Sequence, residues 1–370
     1  MKIRWIECEN IETGLKIERV NFYDDVTLLV GLSGVGKTQI LYAVKYSLDL
    51  AVNKDETLKP YYVNMGIEIG SDIYEWTYKI DCNKEDMLIT EEKQYSFVFE
   101  RLLCNNELIF ERNHNTIKVT GFDKVPQPKS DKSLLAQYAE DESYEKLITG
   151  IKKMYSVEME LEIRRGLGTE TFNKLYARVK EIMDKQVTKD FKIFSHLPAS
   201  LKIYIAKRYY KEIYSKIFDA VKEMFVEIED IDVVEDSSRQ MYLVAITVYG
   251  KQILQDNISN GMLKTIYYLV ELFTMSEDSL VLIDEFENGL GVNCIDVLVE
   301  MLLFERRDLQ FIITSHHPKI IGGIEKNRWR IIDREGFMVM NRSSEEYGIG
   351  DSQHDAYFNL INRWEYEGKA

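Results

Sequence analysis

The sequence predicts an α/β protein: a central sheet of buried strands, a β-rich lobe attached to it, and a helical insertion. Three observations predict this. An apolar, β-branched run at 26–30 leads through a glycine-rich loop into a helix-patterned stretch at 39–48. Two more short apolar runs, at 280–283 and 309–314, end abruptly in polar residues. Between these poles, near residue 130, strand-like alternation gives way to a helical period.

Taken in order, residues 3–30 read as two or three strands. Lys2-Ile3-Arg4-Trp5-Ile6 alternates, 15–20 resembles an edge strand, and Val26-Thr27-Leu28-Leu29-Val30 is a buried one. Gly31-Leu32-Ser33-Gly34-Val35-Gly36-Lys37-Thr38 then fits G-x-x-x-x-G-K-[ST] at every fixed position, between strand and helix as that motif requires. Such a loop, with Gly31, Ser33, Gly34 and Gly36 in it, lets backbone N–H groups converge on phosphates at the positive end of a helix dipole. Lys37 would reach the β- and γ-phosphates and the Thr38 hydroxyl would ligate Mg²⁺. The expected ligand is a nucleoside triphosphate. Residues 61–69 and 73–80 alternate around Gly70-Ser71-Asp72, a hairpin signal, and 95–103, 107–112 and 116–120 continue the pattern.

Helical segments are expected at 132–139, 143–154 and 171–184, with Gly166-Leu167-Gly168 as a break. A long helix or helix pair should span 199–229. It carries Lys202, Lys207, Arg208, Lys211 and Lys216 among Tyr204, Tyr209, Tyr210 and Tyr214. That pattern suits nucleic acid, and it equally describes an amphipathic helix with snorkelling lysines, the commoner case. Strand resumes at 241–249, a helix opens at Ser259 and runs to 274, and 294–305 is helical. Residues 329–333 and 337–341 make a closing hairpin, and 355–364 reads as a final amphipathic helix. The expected division is 1–125 for the loop-bearing half of the core with its β-lobe, 126–235 for the insertion, 236–345 for the second half, and 346–370 for a C-terminal helix.

Composition limits the function classes. The 370 residues are 45% hydrophobic and 12% aromatic, enough for a sizeable core. No run approaches the roughly 20 apolar residues of a membrane span, and no secretory h-region opens the chain. Asp and Glu outnumber Lys and Arg by 62 to 47, a net charge of −15. Proteins that bind nucleic acid by phosphate neutralisation usually lean the other way. Cys8, Cys82, Cys104 and Cys294 form no CxxC pair, which suggests reduced thiols and a cytoplasmic location.

Leu280-Val281-Leu282-Ile283-Asp284-Glu285 has the form of a buried strand that delivers Asp284 to the Mg²⁺ sphere and Glu285 to an attacking water. Ser259-Asn260-Gly261 opens the preceding helix with a hydroxyl, free N–H groups and the helix dipole. Alone it is an ordinary N-cap. His316 follows Phe311-Ile312-Ile313-Thr314-Ser315 at a strand end, where it can sense a γ-phosphate.

Glycine loop, Ser-x-Gly helix start, Asp-Glu strand end and strand-end His, in that order, resemble the ABC-type ATPases. The resemblance is closer to their soluble, SMC-like and OLD-type branch than to transporter subunits. Ile283-Asp284-Glu285-Phe286-Glu287-Asn288-Gly289-Leu290 and Thr314-Ser315-His316-His317-Pro318 look like that branch, and the chain resembles the ATPase subunits of bacterial anti-phage systems such as Septu, PARIS and some retrons. The motifs lie towards the two ends of the chain; the middle helices add nothing to the resemblance.

The resemblance implies a head-to-tail ATP sandwich, a homodimer or higher oligomer. Lys37, Thr38 and Asp284 of one subunit hold Mg²⁺ and ATP, and Ser259 and Gly261 of the partner close over the γ-phosphate. Glu285 is then the catalytic base and His316 the switch. The sequence departs from the pattern twice: Gln94 is the nearest candidate for a Q-loop glutamine, in poor context, and Gly291 stands where aspartate is frequent. No nuclease-like cluster follows His316, so the effector is expected to be a separately encoded protein. Three functions compete: an ATP-dependent sensor or scaffold for such an effector, a DNA-repair ATPase that binds DNA directly, and, least favoured, a transporter ATPase.

Overall fold

A computed structural model describes residues 1–54, 57–82, 94–113, 116–120, 129–139, 142–156, 166–184, 191–306, 308–349, 360 and 362. The chain opens with β1 (Lys2–Asn10), β2 (Leu15–Asn21), β3 (Val26–Val30) and α1 (Lys37–Ala51). Then come β4 (Tyr61–Ile69), β5 (Asp72–Cys82), β6 (Tyr95–Cys104), β7 (Glu107–Asn113) and β8 (Thr116–Val119). The middle contains α2 (Leu134–Gln137), α3 (Glu142–Ile151), β9 (Met154–Ser156), β10 (Leu167–Gly168), α4 (Thr169–Asp184), α5 (Ala199–Tyr209) and α6 (Lys211–Met224). It continues with β11 (Ile228–Asp236), β12 (Met241–Val248), β13 (Lys251–Leu254) and α7 (Asn260–Thr274). The last elements are β14 (Leu280–Ile283), α8 (Val292–Glu300), β15 (Gln310–Thr314), α9 (Pro318–Gly323), β16 (Trp329–Glu335) and β17 (Met338–Ser343).

These elements form two compact units. The first comprises Met1–Ser156, Asp278–Phe286 and Arg307–Ala370. Its sheet has 13 strands, ordered β8-β7-β6-β5-β4-β1-β2-β17-β16-β3-β15-β14-β9. From β8 to β2 the pairing is antiparallel; β16, β3, β15, β14 and β9 run parallel. Every residue of β3, β14 and β15 is buried, as a parallel strand covered on both faces demands. Ile40, Leu41, Val44 and Leu48 of α1 belong to the same core. The register aligns Leu28 with Ile313 and Ile313 with Ile283. The carboxyl ends of β3, β15 and β14 therefore meet on one edge, where open α/β sheets place their ligands.

Glu100 fastens the lobe. Its buried carboxylate accepts hydrogen bonds from Trp76 Nε1 (3.2 Å), Ser133 Oγ (2.7 Å), the Leu134 N–H (2.8 Å) and Arg112 (2.5 Å). Arg112 in turn donates to the Lys129 and Lys132 carbonyls, so the chain leaving the lobe is tied back to it.

The second unit comprises Val157–Glu277 and Glu287–Arg306. In it α4 to α8 accompany a small antiparallel sheet, with β12 flanked by β11 on one side and by β10 and β13 on the other. Phe172 stacks on Tyr242 at 3.6 Å, and a fully buried Lys202–Glu271 ion pair joins α5 to α7. The helical segment α7 and residues 287–306 thus belong to the unit that holds the middle helices.

Several element boundaries differ from expectation. The 199–229 stretch breaks at Tyr210 (φ −129°, ψ 67°), whose ring packs edge-on against Phe191 at 5.0 Å. Helix α6 ends at Met224, and β11 then follows the alternate burial of Ile228, Ile231 and Val233, with a bulge after Ile228. The 132–139 helix shrinks to α2, started by the Ser133 side-chain cap, and the one at 143–154 stops at Ile151 because Met154 pairs with Leu280. Nearly all of the expected helix at 355–364 lies outside the described residues. No described helix is long and apolar enough to cross a membrane.

Candidate functional site

The glycine loop leaves β3 and enters α1 as its sequence requires. Gly34 (φ +80°) and Gly36 (φ +113°) take left-handed conformations, which a side chain disfavours. The Lys37 ammonium folds back over the loop and donates to the Gly31 (2.7 Å) and Leu32 (2.8 Å) carbonyls. It is a buried cation held by loop carbonyls, with the helix N-terminus behind it. Such a cradle favours polyanions.

Where the first turn of α1 meets the ends of β14 and β15, three side chains interlock. Thr38 Oγ1 donates to Asp284 Oδ1 (3.2 Å), and Thr314 Oγ1 donates to the same oxygen (2.6 Å). The Glu285 N–H donates to Thr314 Oγ1 (2.7 Å), and the Phe286 N–H to the Thr314 carbonyl (3.0 Å). Thr314 therefore fixes both acidic residues; sequence reasoning gave it no role, and only the parallel register of β14 and β15 reveals one. The pairing of Thr38 with Asp284 fits a Mg²⁺ site, because the ion prefers oxygen donors and takes few from the protein.

Glu285 has φ 47°, a left-handed backbone in a non-glycine residue. That conformation costs on the order of 1 kcal/mol or more and persists only where the surroundings enforce it. Here the two hydrogen bonds to Thr314 enforce it, and the side chain is exposed at the sheet edge. His316 is also exposed, two residues past β15. Its neighbour His317 is engaged locally: its Nδ1 accepts the Lys319 N–H (3.2 Å) and caps α9. Gln94 is exposed beside the start of β6.

Ser259 and Gly261 lie in the second unit. Ser259 Oγ accepts the Met262 N–H (3.2 Å) and caps α7. A Cβ on Gly261 would lie 2.9 Å from the Gly289 carbonyl, so the helix start and the 288–291 loop touch through backbone. Lys264 closes that contact by donating to the Asn288 carbonyl, and its ammonium lies 5.7 Å from the Tyr268 ring. Burial, with the Glu287 carboxylate adding to it, pushes the Tyr268 hydroxyl well above its ordinary range. Gly291 provides the extended residue before α8.

The three basic residues that α5 contributes to the stripe are engaged internally, while Lys211 and Lys216 of α6 are exposed. Lys202 is the buried partner of Glu271; Lys207 pairs with Asp230 (2.5 Å) and Asp232 (3.1 Å); Arg208 pairs with Asp232 (3.0 Å) and lies 3.5 Å over the Tyr204 ring.

Residues 164–322 match the protein-family model described as "AAA domain, putative AbiEii toxin, Type IV TA system". No curated protein matches the chain by sequence. Among solved structures it is similar to an SMC head bound to the C-terminal winged-helix domain of ScpA. That likeness has a TM-score of 0.51 at 11% identity and covers 94% of this chain and 99% of the other. It is also similar to the SMC head of Thermotoga maritima (TM-score 0.45, 11% identity, 93% and 99% covered). A Pyrococcus furiosus SMC head with extended coiled coil, bound to a ScpA C-terminal domain, gives 0.48 at 11% identity, with 98% and 99% covered. The first of these shows the fold: mixed α/β with one large sheet, as in an SMC head domain.

Proposed function

We propose that the chain is an ATP-hydrolysing clamp whose two-copy assembly gates a separately encoded effector. Lys37 and the loop N–H groups bind the β- and γ-phosphates, and Thr38 and Asp284 hold Mg²⁺. Bound there, the ion neutralises charge on the transferred phosphoryl group. Glu285 orients and deprotonates the attacking water, a contribution of about 10²–10⁴ in rate. His316 reports the γ-phosphate to the end of β15. Ser259 and Gly261 of a second copy close over that phosphate and complete the site.

The observation that carries this reading is the knot of Thr38, Asp284, Glu285 and Thr314. Two residues far apart in sequence share one carboxylate oxygen, and the adjacent glutamate is held in a left-handed backbone by the same threonine. A strained acidic residue at the ligand edge of a sheet suits catalysis better than stability. For the clamp's purpose, anti-phage defence is favoured over DNA repair. The family description names a toxin of a toxin–antitoxin system, and Lys207 and Arg208 of the lysine–tyrosine stripe are paired with Asp230 and Asp232.

The test is Glu285→Gln with ATP and Mg²⁺, followed by light scattering and phosphate release. The variant should form a stable dimer and release almost no phosphate. Normal hydrolysis, or a monomer under saturating ATP, would overturn the proposal.

A further inference from the structure

The hairpin of β16 and β17 takes no part in the chemistry above, yet it lies against the phosphate loop. Strand β16 pairs with β3 only as far as Ile331 opposite Val30 and then continues to Glu335, past the carboxyl edge of the sheet. A Cβ on Gly31 would collide with the Ile332 carbonyl, and one on Gly36 would lie 2.9 Å from Val339 Cγ2. Both strands of the hairpin therefore flank the loop. Arg334 reinforces the approach: its Nη1 lies 3.4 Å from the Gly34 carbonyl, and its Nε donates to the Gly336 carbonyl (2.8 Å).

The hairpin tip is a two-residue turn, Gly336-Phe337, between the paired Glu335 and Met338. Glycine comes first with φ +57°, the requirement of a tight hairpin turn of the II′ kind. The Lys16 N–H donates to the Phe337 carbonyl (2.8 Å), so β2 holds the turn from its other side. The residue so carefully placed is a phenylalanine with 64% of its surface exposed. The backbone of the turn is braced, the hairpin that carries it flanks the glycine loop, and the aromatic side chain is left open to solvent. That arrangement suits stacking on a flat ligand group. Asp284 and Thr314 lie on the strands to the opposite side of β3, leaving the hairpin side for the part of the ligand that carries no metal.

We infer that Phe337 is the stacking surface for the nucleobase of the triphosphate held by Gly31 to Thr38, with Arg334 bracing the turn and adding positive charge at Gly34. The inference rests on the proposal that the loop binds a nucleoside triphosphate. It adds a specificity-determining residue at the opposite end of the ligand.

Calorimetric titration of the full chain with ATP and, separately, with inorganic tripolyphosphate, both with Mg²⁺, tests it. Tripolyphosphate offers the loop the same anion and offers Phe337 nothing. Phe337→Ala should weaken ATP binding about ten-fold, the loss of one stacking partner, and leave tripolyphosphate affinity unchanged. Phe337→Trp should retain ATP affinity. Equal ATP affinity in wild type and Phe337→Ala overturns the inference while leaving the clamp intact. Equal loss of both ligands also overturns it, since the residue would then serve only the loop's shape. A wild-type chain that binds neither ligand overturns the nucleotide reading itself, and this one with it.

Discussion

Two lysines in this molecule each hold a glycine-bearing loop by its backbone carbonyls, and the loops differ in what they leave open. In the first unit Lys37 is buried and folded over Gly31 and Leu32, while Gly34 has nothing within 4 Å of where its Cβ would lie. In the second unit Lys264 grips the Asn288 carbonyl, and the space beside Gly261 is already taken by the Gly289 carbonyl. The first loop is a cradle with a cation across it and open space at Gly34. The second is a clasp within its own chain, which leaves the Ser259 helix start exposed. A glycine motif by itself does not distinguish these two uses; what fills the missing side chain's space does.

The contrast predicts different failures in the two units. Glu285→Gln, beside the cradle, should leave ATP affinity within about two-fold and lower turnover by about 10²–10⁴; phosphate-release kinetics read both the size and the split. In the second unit, Glu271→Leu strands the Lys202 ammonium in a fully buried position. It should cost about 3–5 kcal/mol of stability, seen as a lower urea midpoint, with the damage absent in Lys202→Met/Glu271→Leu. Lys37→Ala comes next. Losing charge-assisted bonds to two phosphates should weaken ATP binding by about a hundred-fold and leave the urea midpoint little changed. A large stability loss would mean that the lysine serves the loop rather than the ligand.

The smallest expected effect falls on the clasp. Gly261→Ala pushes a methyl group against the Gly289 backbone, at about 1–3 kcal/mol. ATP binding by an isolated chain should persist while ATP-dependent dimerisation, followed by light scattering, weakens. Unchanged dimerisation would detach the clasp from the assembly interface.

Much of this was legible in the chain. Val26 to Val30 and the loop after it announce themselves because a buried parallel strand must be apolar throughout and a phosphate loop must be rich in glycine. Asp284 and Glu285 were visible as polar residues ending an apolar run. Thr314 was not, since a threonine ending a strand carries no signal until its neighbour in the sheet is known. Phe337 likewise reads as a hairpin residue until its exposure and its hairpin's contacts with the glycine loop are seen. The lysine–tyrosine stripe at 202–214 left two readings open. Its pairing with Asp230, Asp232 and Glu271 depends on contacts across the second unit that no local pattern encodes.

By itself the sequence determined the α/β class, the glycine loop between strand and helix and the acidic strand end, because these depend on periodicity and on backbone conformations within a few residues. Tertiary structure alone decided which glycines are open and which are filled. It also gave Glu285 its left-handed backbone through Thr314 and set an exposed phenylalanine on a hairpin that flanks the glycine loop. Each of those depends on groups brought together from distant parts of the chain, and burial and register, rather than composition, set their geometry.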